Sequence, residues 1–306
     1  MKALVLLIVS GILTAGVFIA GKQAGHADVP PLLVLFWQMS GGALVVWAVS
    51  WPSRRFPLWN AEHVRYYLIG GLLGVSLPYV LAFVVLRELQ VGIVGLVTAL
   101  SPVFTYALAR LFGHEQSSAL KLLGLVAGLV GVVLLVIPDT QMKLSAAGFI
   151  TDSSHLLLAL AIPVTLASSN IYRSRFWPAG SDTMSLVVGM LSVQGVLLFI
   201  VNLMLGNFEQ IIPAKTDTGW LLLLLALIAG ISYLSSFSLL RVGGPVYLSQ
   251  VGYVITVVTL LAGIVLWDEQ YQHSDMLSMA LIFSGVLLTT WSGRKRSPKT
   301  IVQTCE

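Results

Sequence analysis

"LSPVFTYALARLFGHEQ" occupies Leu100–Gln116, and "VITVVTLLAGIVLWDEQ" occupies Val254–Gln270. Each is an apolar run ending in Glu-Gln, and the two are offset by 154 residues. The same offset pairs Gly131-Val132 with Gly285-Val286, Tyr79 with Tyr233, Phe83 with Phe237, Leu86-Arg87 with Leu240-Arg241 and Gly41 with Gly195, without gaps. Leucine matches arise easily by chance in so biased a chain. Tyr, Arg, Glu-Gln and Gly matches at one offset do not. The chain therefore reads as a first repeat over 1–153, a second over 155–293 and a basic tail over 294–306.

The solvent of these repeats follows from composition. Only 10% of the 306 residues are charged and the mean hydropathy is +0.91, against roughly 25% charged in a soluble domain. Such a chain cannot cover itself in water, so most of its surface must meet lipid. A membrane span needs about 20 mostly apolar residues. Ten runs qualify: 4–21, 31–50, 66–86, 91–112, 119–137, 155–172, 184–205, 219–240, 245–266 and 275–292. Backbone groups in hydrocarbon must be bonded internally, and runs such as "LLLLLALIAG" do not alternate as barrel strands would, so the expected fold is all-α. The first run competes with a signal peptide; the repeat requires it as a retained span.

Orientation follows from Lys and Arg. With the N-terminus inside, 13 of them fall on the inner side and 4, Lys22, Arg87, Lys143 and Lys215, on the outer. Both termini are thus expected in the cytoplasm, and the net charge of +4 is a consequence of topology. The tail "GRKRSPK" beside the last span reads as an anchor to anionic membrane lipid rather than a nucleic-acid patch. The lone Cys305 excludes an internal disulfide and any multi-cysteine metal site, and no cofactor is expected. Five spans per repeat is odd, so the second repeat enters the bilayer upside down. Ten helices in two inverted-topology repeats is an architecture of alternating-access transporters, with substrate bound near the midplane between the halves.

"LSPVFTYALARLFGHEQ…GLVAGLVGVVLL" resembles the EamA-type repeat of the drug/metabolite transporter superfamily. There a Ser-Pro in the fourth helix precedes a Gly-x-Glu turn, and a glycine-rich fifth helix follows. The resemblance covers nearly the whole chain. It implies a cavity built by helices one to four and six to nine, a small-metabolite substrate and a bias towards export, and it suggests a bacterial inner membrane. This chain departs from the pattern at Ile255-Thr256, where the family often has a proline, at Asp268-Glu269 in place of Gly-Glu, and near Leu13-Thr14, where the common tryptophan is absent.

Pro78, Pro102 and Pro163 lie deep in spans three, four and six. Proline lacks an N–H and clashes with the preceding turn, so these helices should bend, either simply to fit the bundle or to line and gate the pathway. Their repeat mates are Ser232, Thr256 and Val9, so the halves should bend unequally. Glu115 and Glu269 each precede a helix, at opposite faces. There a carboxylate meets the positive end of a macrodipole; the structural role is favoured over gating or proton binding.

No Asp, Glu, Lys or Arg falls near the centre of any span. An intramembrane charge is the usual sign of an ion relay, so its absence points to a neutral or zwitterionic solute held by dipoles and aromatics. Residues placed to bind it are Trp37 and Gln38 in helix two, Tyr79 in three, Ser101 and Tyr106 in four, Asn170 in six, Gln194 in seven, Tyr233 in eight, and Gln250 and Tyr253 in nine. Gln38, Tyr79, Gln194 and Tyr233 rank highest, because each half then supplies one amide and one phenol. The competing role for each is interhelical bonding. Helix five, with Gly124, Gly128 and Gly131, has spacing for close packing within the monomer; a homodimer seam through helices five and ten is the second use.

Enzyme motifs such as H-E-x-x-H or Gly-x-Ser-x-Gly do not occur, and the five histidines are scattered over both faces. Filter loops or charged rings of a channel are also missing. The expected function is a secondary transporter that moves an amino acid or similar amphipathic solute by alternating access, with export or exchange as its mode. A sensor or scaffold without transport, or an intramembrane enzyme, is the alternative.

Overall fold

The computed structural model describes residues 2–111, 149–206 and 216–269, with scattered positions from 123 to 134 and from 276 to 288. Glu115, nearly all of expected helices five and ten with their dimer seam, and the 294–306 tail lie outside the described residues.

Among the described residues every regular element is helical. The first repeat supplies α1 (Lys2–His26), α2 (Pro31–Ser50), α3 (Ala61–Gly71), a π-helical turn (Leu72–Ser76), α4 (Leu77–Val85), α5 (Val91–Thr98) and α6 (Ser101–Leu111). The second supplies α7 (Phe149–Arg175), α8 (Thr183–Met204), α9 (Thr216–Ser249) and α10 (Val251–Trp267). Seven helical segments among the described residues are long and apolar enough to cross a membrane, and Val251–Trp267 is apolar but shorter. Large apolar side chains such as Leu44, Leu157, Val196 and Leu223 stand exposed on their outer faces. That surface is unfavourable in water and ordinary against lipid.

Side-chain contacts order the two ends. At one end Lys22 of α1 pairs with Glu269 just after α10, and Arg87 after α4 donates to the Val29 carbonyl at 2.6 Å. At the other, Asn60 caps α3 by accepting from the His63 N–H, and Asp182 caps α8 by accepting from the Ser185 N–H. His63 Nε2 lies 2.8 Å from Ser181 Oγ, joining these two caps. The N-cap side chains satisfy helix N–H groups that would otherwise be orphaned.

Ser10 faces Ser235 at 2.6 Å and Thr14 faces Ser232 at 2.8 Å, so the first part of α9 runs antiparallel to α1. Trp267 and Glu269 nevertheless return to the Lys22 end. The chain therefore reverses within α9, at Gly244, whose φ of 76° and ψ of 178° are non-helical. Only glycine adopts that conformation freely, and Pro245 then starts the next rod, as it can at a helix N-terminus. Expected spans eight and nine are thus joined by a Gly-Pro corner.

Candidate functional site

A cavity lined by residues of both repeats lies between them. Two interrupted helices border it. In the first half α5 stops at Thr98 and α6 starts at Ser101. Pro102 is the local cause: without an N–H it leaves the Thr98 carbonyl unbonded along the helix, and Ala99 and Leu100 form a turn. In the second half the rod breaks at Gln250 before α10. Thr98, Ser101, Ser249 and Gly252 all reach the cavity wall.

The two breaks lie against each other. A Cβ on Gly252 would stand 2.9 Å from the Thr98 carbonyl oxygen, so the glycine is required for this approach. Thr256, the repeat mate of Pro102, donates to the Gly95 carbonyl across the contact at 2.8 Å. Proline thus interrupts one helix, and threonine at the equivalent place in its mate bonds to that interrupted helix.

The aromatic wall comes from repeat mates. Tyr79 and Tyr233 have ring centroids 6.2 Å apart, and Phe18 meets Tyr79 edge-on at 5.9 Å.

Arg173 overturns the expectation that no charge reaches the membrane interior. The expected end of span six at residue 172 puts Arg173 among the inner-side cations, but α7 continues to Arg175 and Arg173 is only 4% exposed, on the cavity wall. Its Nη2 donates to Asn170 Oδ1 at 2.9 Å, and its guanidinium stands over the Phe237 ring at 4.9 Å. Its Nε has no partner among the described residues. The sequence did carry a signal. Ile162, Leu166, Asn170 and Arg173 recur at helical spacing and line the cavity together, so Arg173 ends an inward stripe.

Lys22 and Glu269, both expected at the outer face, meet at one end of the molecule. Their ion pair is nearly enclosed, with side-chain exposures of 10% and 5%. Glu269 additionally accepts from the Val91 N–H at 3.0 Å. Val91 opens α5, so Glu269 caps a helix of the other repeat.

Of the expected binding residues, Tyr79, Tyr233, Ser101 and Asn170 line the cavity, as does Pro78. The others lie elsewhere. Gln194 inserts at the π-helical turn: its Nε2 donates to the carbonyls of Tyr67 and Leu68, and its Oε1 accepts from Ser76 Oγ at 2.6 Å. A side chain on Gly71 would collide with it. Gln38 is fully buried, and neither amide atom has a partner among the described residues. Trp37 packs beside Phe36, Tyr253 packs near Leu96 and Leu100, and Tyr106 is buried in α6. Gln250 forms the break before α10, Pro102 sits in the first turn of α6, and Pro163 lies inside α7.

The profile of the EamA-like transporter family matches the chain twice, over residues 1–137 and 153–291. Protein PecM of Dickeya dadantii (strain 3937) is 24% identical over 266 residues, which cover 86% of this chain and 83% of that protein. The uncharacterized transporter YvbV of Bacillus subtilis (strain 168) is 25% identical over 284 residues, covering 92% and 89% respectively. A solved crystal structure superimposes with a TM-score of 0.64 at 21% identity, over 94% of this chain and 97% of that one. At that identity the likeness speaks to fold alone.

Proposed function

The chain belongs to the EamA-like transporter family, and we propose that it is a secondary carrier that exports or exchanges an amino acid or a similar amphipathic metabolite by alternating access. That it is a multi-pass membrane transporter follows from the family. Solute and mechanism are our reading, as are the full complement of ten helices, the inverted relation of the repeats and a bacterial inner-membrane location with both termini cytoplasmic.

One observation carries the reading: the cavity lies where an interrupted helix from each repeat meets the other. In carriers built from inverted repeats, discontinuous helices at the repeat interface form the substrate site. Repeat mates also run in opposite senses here. The start of α5 meets the end of α10 through Val91 and Glu269, although α5–α6 and α10 occupy equivalent places in their repeats. Such halves can exchange conformations, so the cavity opens to each side in turn.

The test is counterflow in liposomes. Purified protein loaded with an unlabelled amino-acid mixture should accumulate labelled amino acid from outside, saturably and faster than without internal solute. Uptake equal to that of protein-free liposomes across amino acids and other small organic solutes would sink the carrier reading. Chemical conversion of the solute would point to an enzyme.

A further inference from the structure

We propose that Arg173 is the anion anchor of this cavity, and that the solute carries a carboxylate which docks on the guanidinium while its apolar body lies against the aromatic wall. The inference rests on the cavity being the transport site.

Depth is the first support. A Cβ on Gly74 would lie 3.5 Å from Arg173 Cζ, and Gly74 is near the middle of the 25-residue span Ala61–Val85. Long basic side chains near helix ends usually snorkel outwards to the headgroups. This one turns inwards, and glycine at 74 leaves the room for it.

The second support is the missing counter-charge. Ion pairs among the described residues are Lys22–Glu269 and Arg55–Asp182, and neither includes Arg173. What surrounds the guanidinium is an amide oxygen, an aromatic face and, close enough to couple electrostatically, the phenols of Tyr66, Tyr79 and Tyr233. None of these neutralises it. A buried charge without an opposite charge is costly, so the site is completed by an anion. Arginine's planar fork matches a carboxylate with two parallel bonds, and Nε is a donor still unused.

The third support is the rest of the cavity lining. The apolar body of the solute meets Phe18, Ile162, Leu166 and Ile255.

The experiment uses full-length protein in detergent and reads thermal stability with matched probes: L-phenylalanine and L-phenylalaninamide, phenylacetate and phenylacetamide, and phenyl phosphate. At least one acid should raise the Tm of the parent and its amide should not. Arg173→Gln should weaken the acid's apparent affinity about 10- to 100-fold, the range of a charge-assisted hydrogen bond, and Arg173→Lys should retain part of it. Should Arg173→Gln fail to fold, Asn170→Asp decides. It places a carboxylate 2.9 Å from Nη2, so it should raise the ligand-free Tm and abolish the response to acid. The anchor is overturned if no acid shifts the parent, if amides act as well as acids, if phenyl phosphate alone acts, or if Asn170→Asp responds like the parent. Liposome flux separates this from the carrier reading. Acid binding without flux keeps the anchor and sinks transport, whereas equal flux of acid and amide that survives Arg173→Gln does the reverse.

Discussion

Replacing Glu269 by glutamine should loosen the end of the molecule where it pairs with Lys22, and open the cavity to that side. In the parent, the Glu269 carboxylate holds three elements: Lys22 on α1, the first N–H of α5 at Val91, and its own place after α10. Glutamine retains an acceptor for Val91 but loses the charge, and leaves Lys22 nearly enclosed beside the Trp267 ring. Removing one partner of a buried ion pair destabilises by about 3–5 kcal/mol, because the other charge stays buried. That cost falls on this conformer and not on one in which Lys22 meets water. Even about 3 kcal/mol shifts the equilibrium between them by roughly a hundredfold. The assay uses Phe18→Cys, on the cavity wall, in a Cys305→Ser background that removes the only native cysteine. A membrane-impermeant maleimide added at the Lys22 face should label this site slowly in the parent and much faster with Glu269→Gln. Adding Lys22→Met to Glu269→Gln removes both charges and should restore most of the protection. Unchanged labelling in the single variant, or no recovery in the double variant, would refute the assignment of closure to this pair.

Three further outcomes follow from the packing. Gln194→Ala removes bonds to Ser76, Tyr67 and Leu68; at about 0.6 kcal/mol per interhelical bond, reversible unfolding in SDS should show a loss of roughly 2 kcal/mol, with solute affinity unchanged because the amide is outside the cavity wall. Thr256→Val keeps the shape but deletes the donor to Gly95 and Gly252, so the same unfolding assay should register about 0.6–1.7 kcal/mol. Gly252→Ala forces a methyl onto the Thr98 carbonyl and Ala99 Cα; flux in liposomes should fall more than tenfold while the protein still reaches the membrane, and parent-like flux would mean that the two breaks need not touch.

Hydropathy alone sufficed to read lipid as the solvent and, among the described residues, helix as the regular element and most span positions to within a few residues. The 154-residue offset went further. It paired Tyr79 with Tyr233 before any contact was known, and these mates do meet on the cavity wall. Ser101 and Asn170 were also legible, as polar groups at mid-membrane depth. Contacts that respect the internal symmetry leave matched residues in both copies, which is why comparison of the copies finds them.

Asymmetric contacts leave no such trace, and the tertiary structure alone decided them. The repeat mate of Arg173 is Ile19 and that of Gln194 is Ser40, so neither was marked by the duplication. Arg173 looked like a loop cation because a span boundary says where a backbone leaves the apolar layer, not which way a long side chain turns. Its direction depends on the space beside Gly74 and on the ring of Phe237. Gln194 looked like a ligand amide, yet it bonds the carbonyls beside a π-helical turn that hydropathy does not register. Glu269 stood at the start of a helix by sequence and caps α5 of the other repeat in space. A one-dimensional pattern encodes the energy of moving each segment from water to lipid. The partner of a buried polar group is set by which segments touch, and that is determined only once the helices pack.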